Sequence, residues 1–188
     1  AGLFYFASLP DAVVAAHQPI IESIAREFTS GYDERVLVAG SQVFFRSLNV
    51  ALARERIGDV KSFHRFGAYV LFDAVASALE QKAPEKKELR DFLTWGLTHD
   101  VPHVRGLALA YFARLDGKDP EGVDRAAIVK SVIDATRKIH SPEEDQDCFA
   151  QRTGAEILAI LAPPEAKDIL GELLRHPQAG PRSAAGFA

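Results

Sequence analysis

The chain of 188 residues contains no methionine and a single cysteine, Cys148. One thiol cannot close an internal disulfide, and it cannot build a thiolate zinc site. Positive charge is also scarce. Lys and Arg number 22 against 26 Asp and Glu, a net charge of −4, so a general polyanion binder is not expected, although a local basic patch is left open. No apolar run reaches the roughly 18–20 residues of a membrane-crossing helix, so no membrane partner is expected. No basic segment precedes Leu3-Phe4-Tyr5-Phe6, so no signal peptide is read and the expected location is cytoplasmic. Linkers, low-complexity runs and Gly/Ser hinges are absent too, which predicts one domain over 1–188. The missing methionine suggests a fragment, truncated at its C-terminus, because Ser183-Ala184-Ala185-Gly186-Phe187-Ala188 reads like the opening of a helix.

What the sequence does have is helical periodicity. Apolar residues return at i, i+3, i+4 and i+7 nearly throughout. Ala68, Leu71, Phe72, Val75 and Leu79 form one stripe; Leu89, Phe92, Leu93, Gly96 and Leu97 form the next. Val104, Leu107, Ala108, Tyr111, Phe112 and Leu115 follow, then Ala166, Ile169, Leu170, Leu173 and Leu174. The spacing predicts helices near 11–29, 33–56, 63–81, 86–98, 102–115, 122–139, 143–162 and 164–175, with another beginning near 181. Punctuation supports these limits. Asp119-Pro120 reads as an N-cap with proline at the first helical position. Ser141-Pro142-Glu143-Glu144 reads as a capping box. Gly117 and Pro163-Pro164 read as helix ends.

Arg-x-x-Ala opens an apolar stripe at four places: Arg65 to Ala68, Arg105 to Ala108, Arg152 to Ala155 and Arg182 to Ala185. The arginines are 40, 47 and 30 residues apart. Asp59, Asp100 and Asp147 precede the first three by five or six positions, and His176-Pro177 takes that place in the fourth. Each arginine is expected to reach a carboxylate in the preceding turn, and each alanine to let helices approach closely.

With these motifs, the segments from Leu89 to Leu115 and from Asp168 to Ala188 resemble HEAT repeats. The resemblance implies an all-α fold, a right-handed α-α superhelix of stacked antiparallel helical hairpins. It also implies a non-enzymatic binding or scaffold module that takes a protein or peptide on its concave face. In such a fold the second helix of each pair lines that face, which selects Lys87, Arg90, Asp91, Lys130, Asp134, Arg137 and Lys167 as binding residues. The same mixed charges also suit a solvated helix face with i,i+4 pairs. They lack the positive excess of a nucleic-acid groove.

Two enzymatic alternatives are legible. His64 followed by His99-Asp100, with Asp134 further on, resembles the ligand order of the HD-domain phosphohydrolases. That resemblance implies a divalent metal that activates water against phosphate. Where that family carries a glycine shortly after His-Asp, this chain has Pro102. In the repeat reading, His99 and Asp100 only occupy a turn. The region 100–125 also resembles the HEAT-like DNA alkylation-repair glycosylases. Trp95, Tyr111 and Phe112 supply aromatics for it, though their spacing suits core packing. The scaffold reading needs no catalytic residue, metal or cofactor. Of the remaining polar residues, Cys148 is read as inert inside a helix, His103 as a surface turn residue, and His17 as a core histidine.

Overall fold

All regular structure among the described residues is helical, as the stripes predict. The computed structural model describes residues 10–17, 19, 50–58, 67–82, 86–138 and 148–188. The helices are α1 (Asp11–Ala16), α2 (Val50–Gly58), α3 (Gly67–Lys82), α4 (Lys87–Leu97) and α5 (Pro102–Asp116). They continue with α6 (Arg125–Arg137), α7 (Phe149–Leu161), α8 (Ala166–Leu173) and α9 (Ala179–Phe187). The chain separates into two compact units, Ala1–Phe92 and Leu93–Ala188, with the boundary inside α4.

In the first unit, α2 packs on α3. The whole predicted stripe of α3, from Ala68 to Leu79, is buried, as are Ala53 and Ile57 of α2. Phe72 stacks on Phe92 with ring centroids 4.7 Å apart. Arg54 donates to the Asp91 carbonyl at 3.0 Å and lies over the Phe92 ring. His17 is exposed just past α1, its Nδ1 2.9 Å from the Val13 carbonyl, and is not the core residue its apolar neighbours suggested.

The second unit is built around α5 and α7. α5 is buried almost all round, from His103 to Phe112 with Arg105 only half-buried. A helix covered on every face is an interior one. α7 packs against α5, α6, α8 and α9. Bonds at the helix ends give the directions. The start of α5 meets the start of α7 where His103 Nε2 lies 2.9 Å from the Ala150 carbonyl. The start of α7 meets that of α9 where Cys148 Sγ donates to Gln178 Oε1 at 3.1 Å. Thus α5, α7 and α9 form one layer and run in the same sense. α6 runs against α7, since Gln151 near the start of α7 donates to the Lys138 carbonyl at the end of α6, at 2.9 Å.

Glycines set the closest approaches. A Cβ on Gly106 would lie 2.6 Å from Val132 Cγ2 and 3.0 Å from Ile157 Cγ2. One on Gly154 would enter the Thr136 side chain. The four motif alanines, Ala68, Ala108, Ala155 and Ala185, are all buried, in line with their expected role.

Two of the motif arginines, Arg105 and Arg182, act differently from the expectation; Arg152 lies over the Phe149 ring, and Arg65 lies outside the described residues. Arg105 Nη1 donates to the main-chain carbonyls of His99 (2.6 Å) and Asp100 (2.9 Å), not to the Asp100 carboxylate. Arg182 Nη1 does the same to His176 (2.7 Å) and Pro177 (2.6 Å). Carbonyls just past a helix end have no partner within the helix, so a guanidinium that reaches back satisfies them. This is why the fourth copy manages without an acid. The imidazoles match as well. Val101 N–H donates to His99 Nδ1 at 3.0 Å, and Gln178 N–H donates to His176 Nδ1 at 3.2 Å. The two turns are one repeated device. Charge-assisted bonds at half-exposed sites predict a loss of about 1–2 kcal/mol for Arg105→Ala or Arg182→Ala, with Lys a poor substitute, measurable by urea unfolding.

Capping differs from expectation at two helix starts and agrees at two ends. Asp124, not Asp119, caps α6, accepting from the Ala127 amide at 3.0 Å. Asp119 instead pairs with Arg125 at 2.6 Å, and Arg125 also donates to the Leu161 carbonyl at 2.6 Å. Cys148 stands ahead of α7 with φ 51°, a left-handed conformation that cannot continue a helix, so it is a cap and not a helix-interior residue. The predicted capping box at Ser141 lies outside the described residues. Gly117 ends α5 at φ 64°, and Ala162 ends α7 ahead of Pro163-Pro164, both as predicted.

Candidate functional site

The predicted binding residues all lie on helix surfaces. Lys87, Arg90 and Asp91 are exposed on α4, in the first unit. Lys130, Asp134 and Arg137 are exposed on α6, and Lys167 is exposed on α8, in the second. Their apolar neighbours one or two residues away, Val129, Ile133 and Ile169, are buried and turn the charged stripe outward.

α6 and α8 share one polar surface. Arg137 forms a forked bond to Glu172, with Nη2 to Oε1 at 2.8 Å and Nε to Oε2 at 3.2 Å. The opposite ends of the two helices also meet, through Arg125 and the Leu161 carbonyl just before α8. α6 and α8 therefore run in the same sense, as α5, α7 and α9 do. The Glu172 carboxyl is held below the usual carboxylate range, chiefly by the hydrogen bond from Arg137, with the guanidinium charge adding to it and desolvation opposing. The Arg137 guanidinium is raised by the same bond, then by the Glu172 charge, with smaller help from Asp134 and Asp168.

A carboxyl depressed on folding stabilises the fold above its ordinary range, and that contribution is lost as acid titrates it through the lower folded value. Arg137→Gln should therefore return the Glu172 midpoint upward toward the ordinary carboxylate range. A carbon-detected NMR titration of the glutamate side chains reads this directly. Both side chains are about half exposed, so the pair orders the surface more than it stabilises the fold.

The alternative metal set is not assembled among the described residues. His99 is buried with its Nδ1 engaged by the Val101 amide, while Asp100 and Asp134 are exposed. No three His, Cys, Asp or Glu side chains among the described residues converge to hold a metal ion. His64 lies outside the described residues. Of the aromatics, Tyr111 and Phe112 are buried core residues, and Trp95 meets His99 edge-on at 5.5 Å. No described helix is long and apolar enough to cross a membrane.

Sequence reasoning missed three structural residues. His103 is buried at 3% exposure and is not a surface turn residue. Its position four residues before Leu107, on the same helical stripe, was the available signal. Gly106 and Gly154 were not read as contact points, although a glycine inside a helix costs stability and usually has a packing reason. The chain matches no protein-family model, no curated protein and no solved structure.

Proposed function

We propose that this chain is a HEAT-like helical-repeat module, a stacked α-α superhelix, that binds a protein or peptide partner on the face formed by its second helices. The Arg137–Glu172 bridge carries this reading. It joins α6 to α8 on the layer opposite α5, α7 and α9, with Asp134 and Asp168 close enough to act on Arg137, and Lys130 and Lys167 are exposed on the same two helices. A repeat array presents an extended surface when equivalent helices lie side by side, and interdigitated charges of both signs select a partner by complementarity. Two turns built on one plan support the repeat itself.

The test uses the full chain with Lys130, Arg137 and Lys167 all replaced by glutamate, beside a control Glu121→Lys in the exposed turn before α6. Quantitative mass spectrometry after mild cross-linking should show a defined partner held by the wild type and the control. The triple variant should lose at least about tenfold of that capture, as removal of central charged contacts does. Equal capture by all three proteins would contradict the proposal.

A further inference from the structure

The seam between α6 and α8 is closed at one end by Arg137–Glu172 and open at the other. The open end is a groove of about 740 Å³ between the first half of α6 and the Leu161–Glu165 turn. Its floor is apolar. Val129, Ile133 and Leu161 are each less than one-tenth exposed, and Pro163 and Pro164 form the far wall. Its lips are charged with opposite signs. Lys130 stands on the α6 side and Glu165 on the α8 side, and neither has an ion-pair partner among the described residues. Arg125 also borders the groove, but Asp119 and the Leu161 carbonyl already occupy its guanidinium.

We infer that this groove receives a short segment of a partner protein. That segment carries one large aliphatic or aromatic side chain into the floor, with an acidic residue beside it for Lys130 and a basic one toward Glu165. A groove of this volume takes a short segment, its apolar floor holds the anchor residue, and the two lips fix the direction of the chain through charge complementarity. The inference rests on the binding-face reading and locates the contact within it.

The experiment selects random peptides displayed on phage against the intact protein, then measures affinities for the enriched sequences. Enriched peptides should carry the anchor with an acidic neighbour. Ala126→Glu, an exposed substitution at the groove mouth, should weaken them by about tenfold or more, whereas Glu121→Lys in the exposed turn before α6 should change them less than about threefold. Repeating the selection on Lys130→Glu should replace the acidic neighbour with a basic one. Peptides sensitive to Arg137→Glu but not to Ala126→Glu would overturn the groove and leave the wider face standing. Failure to enrich any peptide would overturn the groove as well, and the wider face would then stand or fall on the charge-reversal capture. Self-association abolished by Ala126→Glu would give the groove to a second copy of the chain and overturn the inference.

Discussion

Gly154→Ala should be among the most damaging single-methyl additions available to this protein. The added carbon would collide with Thr136 Oγ1 and lie 2.6 Å from Cγ2 and 2.8 Å from Cβ of the same side chain. Neither helix can yield easily. Thr136 is buried at 1% exposure, and its hydroxyl donates to the Val132 carbonyl at 2.7 Å. Gly154 is buried on α7, which packs against four other helices. Overpacking at such a site costs about 3 kcal/mol, the upper part of the usual range. For a chain of this length that lowers the midpoint by on the order of 6–12 °C in calorimetry. Thr136→Ala removes two of the three offending atoms. The double variant should therefore recover more than half the loss, a coupling of at least about 1 kcal/mol in a double-mutant cycle. Additive losses would mean that α6 and α7 do not meet at this pair.

His103→Ala has the second large effect. The imidazole fills interior space beside Val104 and Leu107 and bonds across to the Ala150 carbonyl at the start of α7. Truncation removes buried volume and a buried hydrogen bond together, a loss of about 3 kcal/mol. His103→Gln keeps a nitrogen donor at nearly the same reach and should recover about half of that. Chemical denaturation of the three proteins gives the comparison. A surface turn residue would show changes within about 0.5 kcal/mol for both variants.

The same reasoning revises His99. The repeat reading places it in a turn, where alanine would change stability within about 0.5 kcal/mol. Its burial and its bond from the Val101 amide make it part of the turn's framework.

Periodicity made the helices legible because burial follows phase. The stripe of α3 is buried without exception, and so are Val104, Leu107, Ala108, Tyr111 and Phe112 of α5. The α8 stripe departs from this at two positions: Leu170 is only half-buried, and Leu174 lies just past the helix end and is 49% exposed. Capping was harder to read because two acids compete near α6. Asp119-Pro120 has the stronger local signature, yet Asp119 is drawn to Arg125, leaving Asp124 to cap. The arginine motif was visible, but its acceptor was not. A side chain that reads main-chain carbonyls leaves no requirement on residue type, so the preceding acids were a misleading guide. The charged residues of the candidate face were identifiable from their spacing. Their pairing across 35 positions, Arg137 to Glu172, depends on helices lying side by side and has no local signature. The groove at the open end of the same seam was invisible for that reason too.

A repeat requires the two turns, around His99 and around His176, to be one element. Amide hydrogen exchange at Val101 and Gln178, followed by NMR, tests this most directly. Both amides sit in turns, yet each donates to an imidazole two residues earlier. Both should be protected well beyond the neighbouring exposed turn amides. His99→Ala should release Val101 alone and His176→Ala should release Gln178 alone. Rapid exchange at either amide in the wild-type protein would mean that the turns are not equivalent, and the repeat would lose its structural basis.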